Sequence, residues 1–362
     1  MHPARHTLER LLDGQDLAET EAANLLGLLT QPELAPAMAG ALLAALRGKG
    51  VTAAEVRGFA GAMRALARKP ALPVAPDAID IVGTGGDASG SLNLSTGAAL
   101  LTAACGLPVV KHGNRSISSR SGSADLIEAL GFKLPLDERQ AAECFAATGF
   151  TFLFAPYYHP AMKSLAPIRT ALGVRTVFNL LGPLTNPATP RFYLIGAYSA
   201  ATAELLADAL AGMEATRAWV IHGAAGWDEA TPIGPFLAFD VTRSGIERHH
   251  IDPRDFGLTP CESADLAGGD AVANLAELRA VFEGRDRGAH QAALVLQSGL
   301  ALYVAGRAAS IAAGIEKARS TLESGSALQW LYRLDAYAAE SRGALESAST
   351  AATAGAAETR GS

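Results

Sequence analysis

One stretch of the chain, residues 79–131, constrains the fold most, because it repeats a strand–loop–helix pattern. An apolar, β-branched run at 79–82 ends in GTGGD, and a second apolar run at 107–110 ends in KHGNR. Each loop leads into a segment with helix-start residues and an apolar body. This alternation predicts a parallel sheet, in which the loops that follow the strands meet at the carboxyl edge, where ligands bind.

Both loops have the composition of phosphate-binding turns. Glycines let the backbone approach an anion, and helix starts after Asn93 and Ser123 offer unpaired N–H groups. Lys111 and Arg115 add positive charge, and five hydroxyl groups add donors: Ser91, Ser95, Thr96, Ser118 and Ser119. Two adjacent anion cradles predict a ligand with two phosphate groups.

Neither loop matches a common nucleotide motif. GTGGD lacks the GxGxxG spacing, and no GxxxxGK[ST] follows it. The alternative is that glycine-rich turns only connect strands to helices. Two consecutive loops, each with hydroxyls at a helix start and the second with cations, favour phosphate binding.

Composition limits the class of protein. The 362 residues carry a formal net charge of −6, which argues against a broad nucleic-acid-binding face. Three cysteines without CxxC spacing are typical of reduced thiols in a cytoplasmic protein. No signal peptide is visible, and the longest apolar stretch is too short to span a bilayer, so we expect no membrane association.

Along the chain, residues 7–70 have helical patterns, and Asp16 and Thr52 are candidate helix caps. Prolines at 70, 73 and 76 predict a stiff linker into the α/β region. Strand patterns at 236–241 and 246–250 predict a hairpin or two sheet strands, and an Ala/Ser/Thr-rich tail over 346–362 predicts disorder.

Beyond the repeated stretch, an acidic pair and two basic groups are candidates for chemistry. Asp228 and Glu229 follow a predicted strand in a glycine-flanked loop and offer the hard oxygen ligands that Mg²⁺ prefers, although exposed acidic pairs are usually only solvated. Arg169 could clamp a benzoate carboxylate, and otherwise is a surface cation. His159 is equally compatible with a hydrogen-bonded structural histidine.

Four motifs in this order and spacing, GTGGD, NLST, KHGNR and SSRSGSAD, resemble the signature of anthranilate phosphoribosyltransferases. GVRTVFNLLGPLTNP and the helical segment at 39–67 are also similar to that family. The resemblance implies an α/β fold of the nucleoside phosphorylase/phosphoribosyltransferase type. It implies a helical subdomain over 1–70, joined by a helical segment near 165–190. The larger α/β domain, with a central and mostly parallel sheet, would cover 71–345.

The implied reaction transfers the 5-phosphoribosyl group of phosphoribosyl diphosphate (PRPP) to the amine of anthranilate, in tryptophan biosynthesis. The implied cofactor is Mg²⁺, with two ions per subunit, and the implied assembly is a cytoplasmic homodimer without nucleic-acid or membrane partners. The family's metal contacts fall on Ser95, Asp228 and Glu229. Its anthranilate contacts and acceptor-tunnel residues fall on Gly83, His112, Asn114, Pro156, His159 and Arg169. Its PRPP contacts fall on Gly83, Gly86, Asp87, Ser91, Asn93, Leu94, Ser95, Thr96, Lys111, His112, Gly113, Asn114, Arg115, Ser116, Ile117, Ser118, Ser119 and Ser123.

The chain departs from the family pattern at three places: Ser116-Ile117, ATPIGPF after Glu229, and Gln297-Ser298-Gly299. The ATPIGPF and Gln297-Ser298-Gly299 positions are predicted to lie beside the ligand contacts. Two rival functions share the architecture, a non-catalytic nucleic-acid-binding paralogue and a pyrimidine nucleoside phosphorylase. The intact KHGNR and Asp-Glu motifs argue against the first, and Arg169 with HPAMK against the second. No side chain is assigned as a catalytic acid or base.

Overall fold

The computed structural model describes residues 3–73, 76–87, 89–116 and 120–358. These ranges form fifteen α-helices and seven β-strands. The helices are α1 (Pro3–Leu12), α2 (Glu19–Leu29), α3 (Pro36–Lys49), α4 (Ala53–Leu66), α5 (Leu94–Ala104), α6 (Ser123–Ala129), α7 (Glu138–Thr148), α8 (Ala155–Tyr158), α9 (Ala166–Leu172), α10 (Phe178–Leu181), α11 (Ala200–Ala211), α12 (Ala271–Phe282), α13 (Ala289–Val304), α14 (Ile311–Glu323) and α15 (Ser326–Glu358). The strands are β1 (Ile79–Gly83), β2 (Val109–Gly113), β3 (Phe150–Phe154), β4 (Phe192–Gly196), β5 (Arg217–His222), β6 (Phe236–Thr242) and β7 (Gly245–Ile251).

The strands form one sheet in the order β3-β2-β1-β4-β5-β6-β7. Strands β1 to β5 pair in parallel, and β6 and β7 extend the sheet as antiparallel strands, with β7 at the edge. The predicted mostly parallel sheet is therefore confirmed, and β6 and β7 form the hairpin that was one of the two predicted arrangements. The chain builds outward from β1 to β3 and then returns to β4 on the other side of β1, which creates a crevice at the carboxyl ends of β1 and β4.

The N-terminal helices follow the predicted apolar spacing, with one wrong cap. Helix α4 begins as predicted, since the Thr52 hydroxyl accepts a hydrogen bond from the Glu55 N–H and the Glu55 carboxylate accepts one from the Thr52 N–H. Asp16 does not cap α2, because the helix begins three residues later with Ala18 at the N-cap. The Asp16 carboxylate instead binds the Lys49 ammonium at 2.7 Å.

Two apolar cores lie on opposite faces of the sheet. One contains β1 to β3 residues with helices α5, α13 and α15. The other joins the N-terminal helices to α10, α11 and the opposite face of β4 to β6, where Tyr193, Val220 and Phe239 are buried. The Tyr193 hydroxyl also accepts a hydrogen bond from Arg64 of α4 at 3.2 Å. The helical segment is thus continuous with one layer of the α/β sandwich.

The C-terminal segment differs from its prediction. Helix α15 continues to Glu358, so helix replaces the disorder predicted for most of 346–362, and residues 359–362 lie outside the described residues. The segment is rich in alanine, which has the highest intrinsic helix propensity, and it extends a helix that is already anchored through Trp330 and Leu334. None of the described helices has a stretch long and apolar enough to cross a lipid bilayer.

Candidate active site

The loop that follows β5 and carries Asp228 and Glu229, here called the acidic loop, lies in the crevice between β1 and β4. Two glycines make room for it. A Cβ atom on Gly196, the last residue of β4, would lie 1.4 Å from the Asp228 carbonyl oxygen. A Cβ atom on Gly83, the last residue of β1, would lie 2.2 Å from the Asp228 carboxylate. Only glycine at these two strand ends lets the Asp228 main chain approach β4, and the Asp228 carboxylate approach β1, so closely.

Three carboxylates converge at this point. The Asp228 carboxylate accepts a hydrogen bond from the Gly85 N–H at 2.6 Å, and the Asp228 N–H donates to the Asp87 carboxylate at 3.3 Å. The Glu229 carboxylate accepts from the Ser95 N–H at 2.9 Å, at the start of α5. The GTGGD loop, the NLST helix start and the acidic loop therefore meet, as the predicted metal set requires.

The electrostatics of this cluster favour a bound cation. Burial, and next the Asp87 carboxylate, raise the pKa of Asp228 to about 7. Burial and Asp228 likewise raise the pKa of Glu229 well above its ordinary range. Buried like charges disfavour ionisation, and a hard divalent cation would relieve the repulsion through oxygen ligands. The donor set fits Mg²⁺, with Asp228, Glu229 and Ser95 as the residues that would hold it.

Lys111 lies buried beneath the cluster. Its ammonium donates to the Ile81 carbonyl and lies 3.4 Å from the Ser95 hydroxyl. Burial lowers the pKa of Lys111 to about 8, while Asp80 on the adjacent strand favours the charged form. The Asp80 carboxylate is itself held by the Asn186 amide at 2.9 Å. Asp80 is absent from the predicted site residues, although a lone acid inside the apolar run IDIV was a visible signal.

Asn93 is the N-cap residue of α5, so the helix begins directly after it as predicted, and its side chain connects the two loops. Its side chain makes no capping hydrogen bond to α5. The Asn93 amide donates to the Ser121 carbonyl at 3.1 Å, and its oxygen accepts from the Ser121 hydroxyl and the Asn274 amide. The loop after β2 is thereby fixed against the start of α5.

In the loop after β2, two glycines allow close contacts between segments of the loop. A Cβ atom on Gly122 would lie 2.2 Å from the Ser116 N–H nitrogen, and one on Gly113 would lie 2.3 Å from the Ser123 hydroxyl. The Asn114 carbonyl accepts a hydrogen bond from the Ser123 hydroxyl at 3.1 Å. Ile117, Ser118 and Ser119, predicted to bind PRPP, lie outside the described residues.

The candidate acceptor side contains a buried histidine pair. The rings of His112 and His159 lie 5.1 Å apart in an edge-to-face arrangement, and both are 4% exposed. Burial lowers the pKa of His112 to about 3 and that of His159 to about 4. Within the described ranges, neither Nε2 atom has a hydrogen-bond partner. Two neutral imidazoles at neutral pH would form a mildly polar wall.

Arg169 lies on α9, which follows the HPAMK segment that contains His159. Its guanidinium lies 5.3 Å from the Phe178 ring centroid, and burial lowers its pKa. Among the described residues, no carboxylate forms an ion pair with it. A half-buried guanidinium on an aromatic face, without an internal counterion, is suited to an incoming carboxylate.

Comparison with known proteins agrees with this geometry. Residues 75–328 match the family model "Glycosyl transferase family, a/b domain", and residues 5–67 match "Glycosyl transferase family, helical bundle domain". The anthranilate phosphoribosyltransferase of Rubrobacter xylanophilus is 45% identical over 91% of this chain and 96% of its own length. The chain belongs to the anthranilate phosphoribosyltransferase family.

Solved members of the anthranilate phosphoribosyltransferase family share the fold. The Thermus thermophilus enzyme superposes with a TM-score of 0.85 at 41% identity, covering 92% of this chain and 99% of that one. The Saccharomyces cerevisiae enzyme in complex with PRPP and Mg has a TM-score of 0.84 at 27% identity, covering 93% and 98%. The predicted family, fold class and activity, 5-phosphoribosyl transfer from PRPP to anthranilate in tryptophan biosynthesis, are confirmed.

Not every residue that the family resemblance assigns to a ligand faces the crevice here. The Arg115 guanidinium is about half exposed and pairs with the Asp125 and Glu128 carboxylates of α6. It also lies over the Phe154 ring at 5.6 Å. Its assignment to PRPP remains a prediction, and it would require these ion pairs to open.

Two of the departures from the phosphoribosyltransferase pattern, Gln297-Ser298-Gly299 and ATPIGPF, take part in the packing of helices and strands. Gly299 of α13 packs against Gly314 of α14, where a Cβ atom on Gly314 would lie 2.3 Å from the Gly299 carbonyl oxygen. The Ser298 hydroxyl donates to the Ala98 carbonyl of α5 at 3.1 Å. In the ATPIGPF segment, Phe236 begins β6 and is buried. These residues set helix and strand packing, and their position beside the ligand contacts stays a prediction.

A second acidic group lies away from the crevice. Glu277, Asp286 and His290 have potential ligand atoms within 4.8 Å of one another. Glu277 is exposed, and Arg287 and Arg319 line the same cleft. The positive charges oppose a cation there, so the buried cluster at the crevice is the better magnesium site.

Proposed function

We propose that this chain transfers the phosphoribosyl group with the crevice between β1 and β4 as the PRPP site and the region of Arg169 as the anthranilate site. The observation that carries the proposal is the contact of one acidic loop with the GTGGD loop and with the start of α5. That contact supports the proposal, because it brings the Asp228 and Glu229 carboxylates close to backbone N–H groups suited to a diphosphate.

On the donor side, the proposal assigns Asp228, Glu229 and Ser95 to two Mg²⁺ ions per subunit. When bound, Mg²⁺ supplies positive charge to the diphosphate that departs from the ribose. The protein contributes the backbone N–H groups of the two glycine loops and the buried Lys111 ammonium. These groups are fixed before the substrate arrives, so they stabilise the growing negative charge without reorganisation.

On the acceptor side, we assign the anthranilate carboxylate to the Arg169 guanidinium, with His112 and His159 forming the wall of the acceptor tunnel. Gly83, Asn114 and Pro156 complete the predicted contacts. An arylamine is unprotonated at neutral pH, so its nitrogen lone pair needs alignment more than a base. The depressed pKa values of both histidines agree with a positioning role, because neutral imidazoles do not repel the guanidinium.

Positioning then accounts for much of the catalysis. The C–N bond forms as the bond from the ribose carbon to diphosphate breaks, with cationic character on that carbon. When the protein holds the amine in line with this carbon, a bimolecular reaction becomes effectively unimolecular, and the entropic part of the barrier falls. The amine proton is released after attack, and no side chain is assigned to accept it.

We further propose a cytoplasmic homodimer, with a helical subdomain over 1–70 and an α/β domain over 71–345. Support comes from the separate family models for the two segments and from the 69% exposure of Leu12 at the end of α1. Sedimentation velocity of the full chain tests the dimer, and a Leu12→Lys variant tests whether α1 takes part.

Loss of anthranilate fluorescence tests the transfer reaction. We expect the signal to fall only when PRPP and Mg²⁺ are both present, and omission of either should stop it. Phosphate-dependent cleavage of thymidine, measured in parallel, would support the rival nucleoside phosphorylase. Retention of duplex DNA in a mobility-shift assay, without fluorescence loss, would support the nucleic-acid-binding paralogue.

A further inference from the structure

Arg175 holds the donor loop from outside the crevice. It lies in the turn between α9 and α10, six residues after Arg169. Its guanidinium donates a hydrogen bond to the Gly86 carbonyl of GTGGD. A Cβ atom on Gly86 would lie 2.7 Å from the Arg175 Nη2 atom, so the guanidinium occupies the space that a side chain would need.

The Arg175 guanidinium also packs on the aromatic ring of a residue that is hydrogen-bonded through its backbone to the GTGGD loop. It lies 4.2 Å from the Tyr198 ring centroid. The Tyr198 N–H donates to the Thr84 hydroxyl at 3.3 Å, and the Thr84 N–H donates to the Gly196 carbonyl at 2.9 Å. No ion pair engages Arg175 among the described residues. Its contacts are therefore the loop carbonyl and the aromatic face.

The contact fixes the direction of one peptide group. Gly85 and Gly86 both have left-handed backbones, with φ of +69° and +77°, so this loop has several accessible conformations when unrestrained. In a planar trans peptide the carbonyl and the following N–H point in opposite directions. Holding the Gly86 carbonyl toward Arg175 directs the Asp87 N–H away from it. That N–H donates no hydrogen bond to any described residue.

We propose that Arg175 is a positioning residue for PRPP. It orients the Gly86–Asp87 peptide so that the Asp87 N–H is available to the diphosphate, and it connects the turn after the Arg169 helix to the donor loop. The inference rests on the proposed PRPP site and adds to it a residue outside the predicted ligand set.

Arg175→Ala tests this role in the full chain. We expect the KM for PRPP, and its Kd measured with Mg²⁺ and no anthranilate, to rise about tenfold, as for loss of one charged hydrogen bond. The kcat and the anthranilate KM should stay within about twofold by the same reasoning. Arg243→Ala, which removes an exposed arginine at the turn between β6 and β7, is the matched control. Unchanged PRPP affinity in Arg175→Ala would overturn the proposal.

Two further variants separate positioning from general destabilisation. Tyr198→Leu removes the aromatic platform and should reproduce part of the loss, whereas Tyr198→Phe keeps the ring and should match wild type. All variants should unfold at the wild-type temperature. A parallel fall in unfolding temperature and PRPP affinity would instead mark a structural role.

A ligand-free measurement keeps the inference separate from the proposed function. Amide hydrogen exchange in the peptide covering 83–93 should speed up in Arg175→Ala and stay unchanged in Arg243→Ala. Unchanged exchange in Arg175→Ala overturns the loop-positioning role, whether or not PRPP binds. Absence of Mg²⁺-assisted PRPP binding in the wild type would overturn the proposed function and the assignment of the Asp87 N–H to PRPP, whereas the exchange result alone decides whether Arg175 positions the loop.

Discussion

Replacing Gly196 by alanine should disable the acidic loop without unfolding the protein. The added Cβ atom would lie 1.4 Å from the Asp228 carbonyl oxygen, whereas such atoms essentially never approach within 3.0 Å. The loop must therefore retreat by about 1.6 Å, the difference between these distances. Gly196 cannot move instead, because it pairs with Gly83 of β1 and Ile221 of β5 on its two sides.

A shift of that size removes the carboxylates from the start of α5. Misplacement by about 1 Å can cost about 100-fold in rate, so we expect kcat/KM to fall about 100-fold or more. The assay is initial loss of anthranilate fluorescence across a Mg²⁺ titration, and higher Mg²⁺ should not restore wild-type turnover.

The matched control is Gly61→Ala on α4, where the new Cβ would meet nothing within 4 Å. This variant should keep full activity and gain slight thermal stability, as expected for an exposed helical site. Wild-type kcat/KM and wild-type Mg²⁺ dependence in Gly196→Ala would refute the role given to this close contact.

Three other perturbations test separate parts of the site. Arg169→Ala should raise the anthranilate KM strongly with little effect on PRPP, because one bidentate contact is lost; steady-state kinetics that show equal weakening of both substrates would contradict this. Asp228→Asn combined with Glu229→Gln should abolish Mg²⁺-dependent turnover, and rates retained at saturating Mg²⁺ would exclude the metal role. His112 has a folded-state pKa of about 3, below its ordinary value of 6.5, so the unfolded chain binds the extra proton as the pH falls. Between pH 7 and 5 the wild type should therefore lose about 2 kcal/mol of unfolding free energy relative to His112→Asn, and equal pH slopes in urea titrations would count against the buried neutral imidazole.

The sequence predicted features that depend on local pattern. The apolar runs before GTGGD and KHGNR became β1 and β2, and Thr52 caps α4 as its capping box indicated. The meeting of the acidic loop with GTGGD was accessible only through the family resemblance. Gly85 and Asp228 are 143 residues apart in sequence, and no local signal links them.

Side-chain partners were the part that pattern could not predict. Asn93 satisfies the usual preference for a helix cap, but Ser121 and Asn274 offer it hydrogen bonds from elsewhere in the fold. Arg115 has the charge expected for a phosphate ligand, yet Asp125 and Glu128 on the next helix neutralise it. In each case, residues distant in sequence determine which partner the side chain binds.

The apolar core that the N-terminal helices share with Tyr193, Val220 and Phe239 has a practical consequence. Cutting the chain near Pro70 would uncover one whole layer of the sandwich, so the α/β portion should precipitate when expressed alone. Any opening and closing of the crevice must then leave this shared core intact and bend the chain elsewhere. Residues 173–175, at the start of the turn between α9 and α10, are exposed and lie outside this core, and the Arg175 contact spans them, so we expect the chain to bend there.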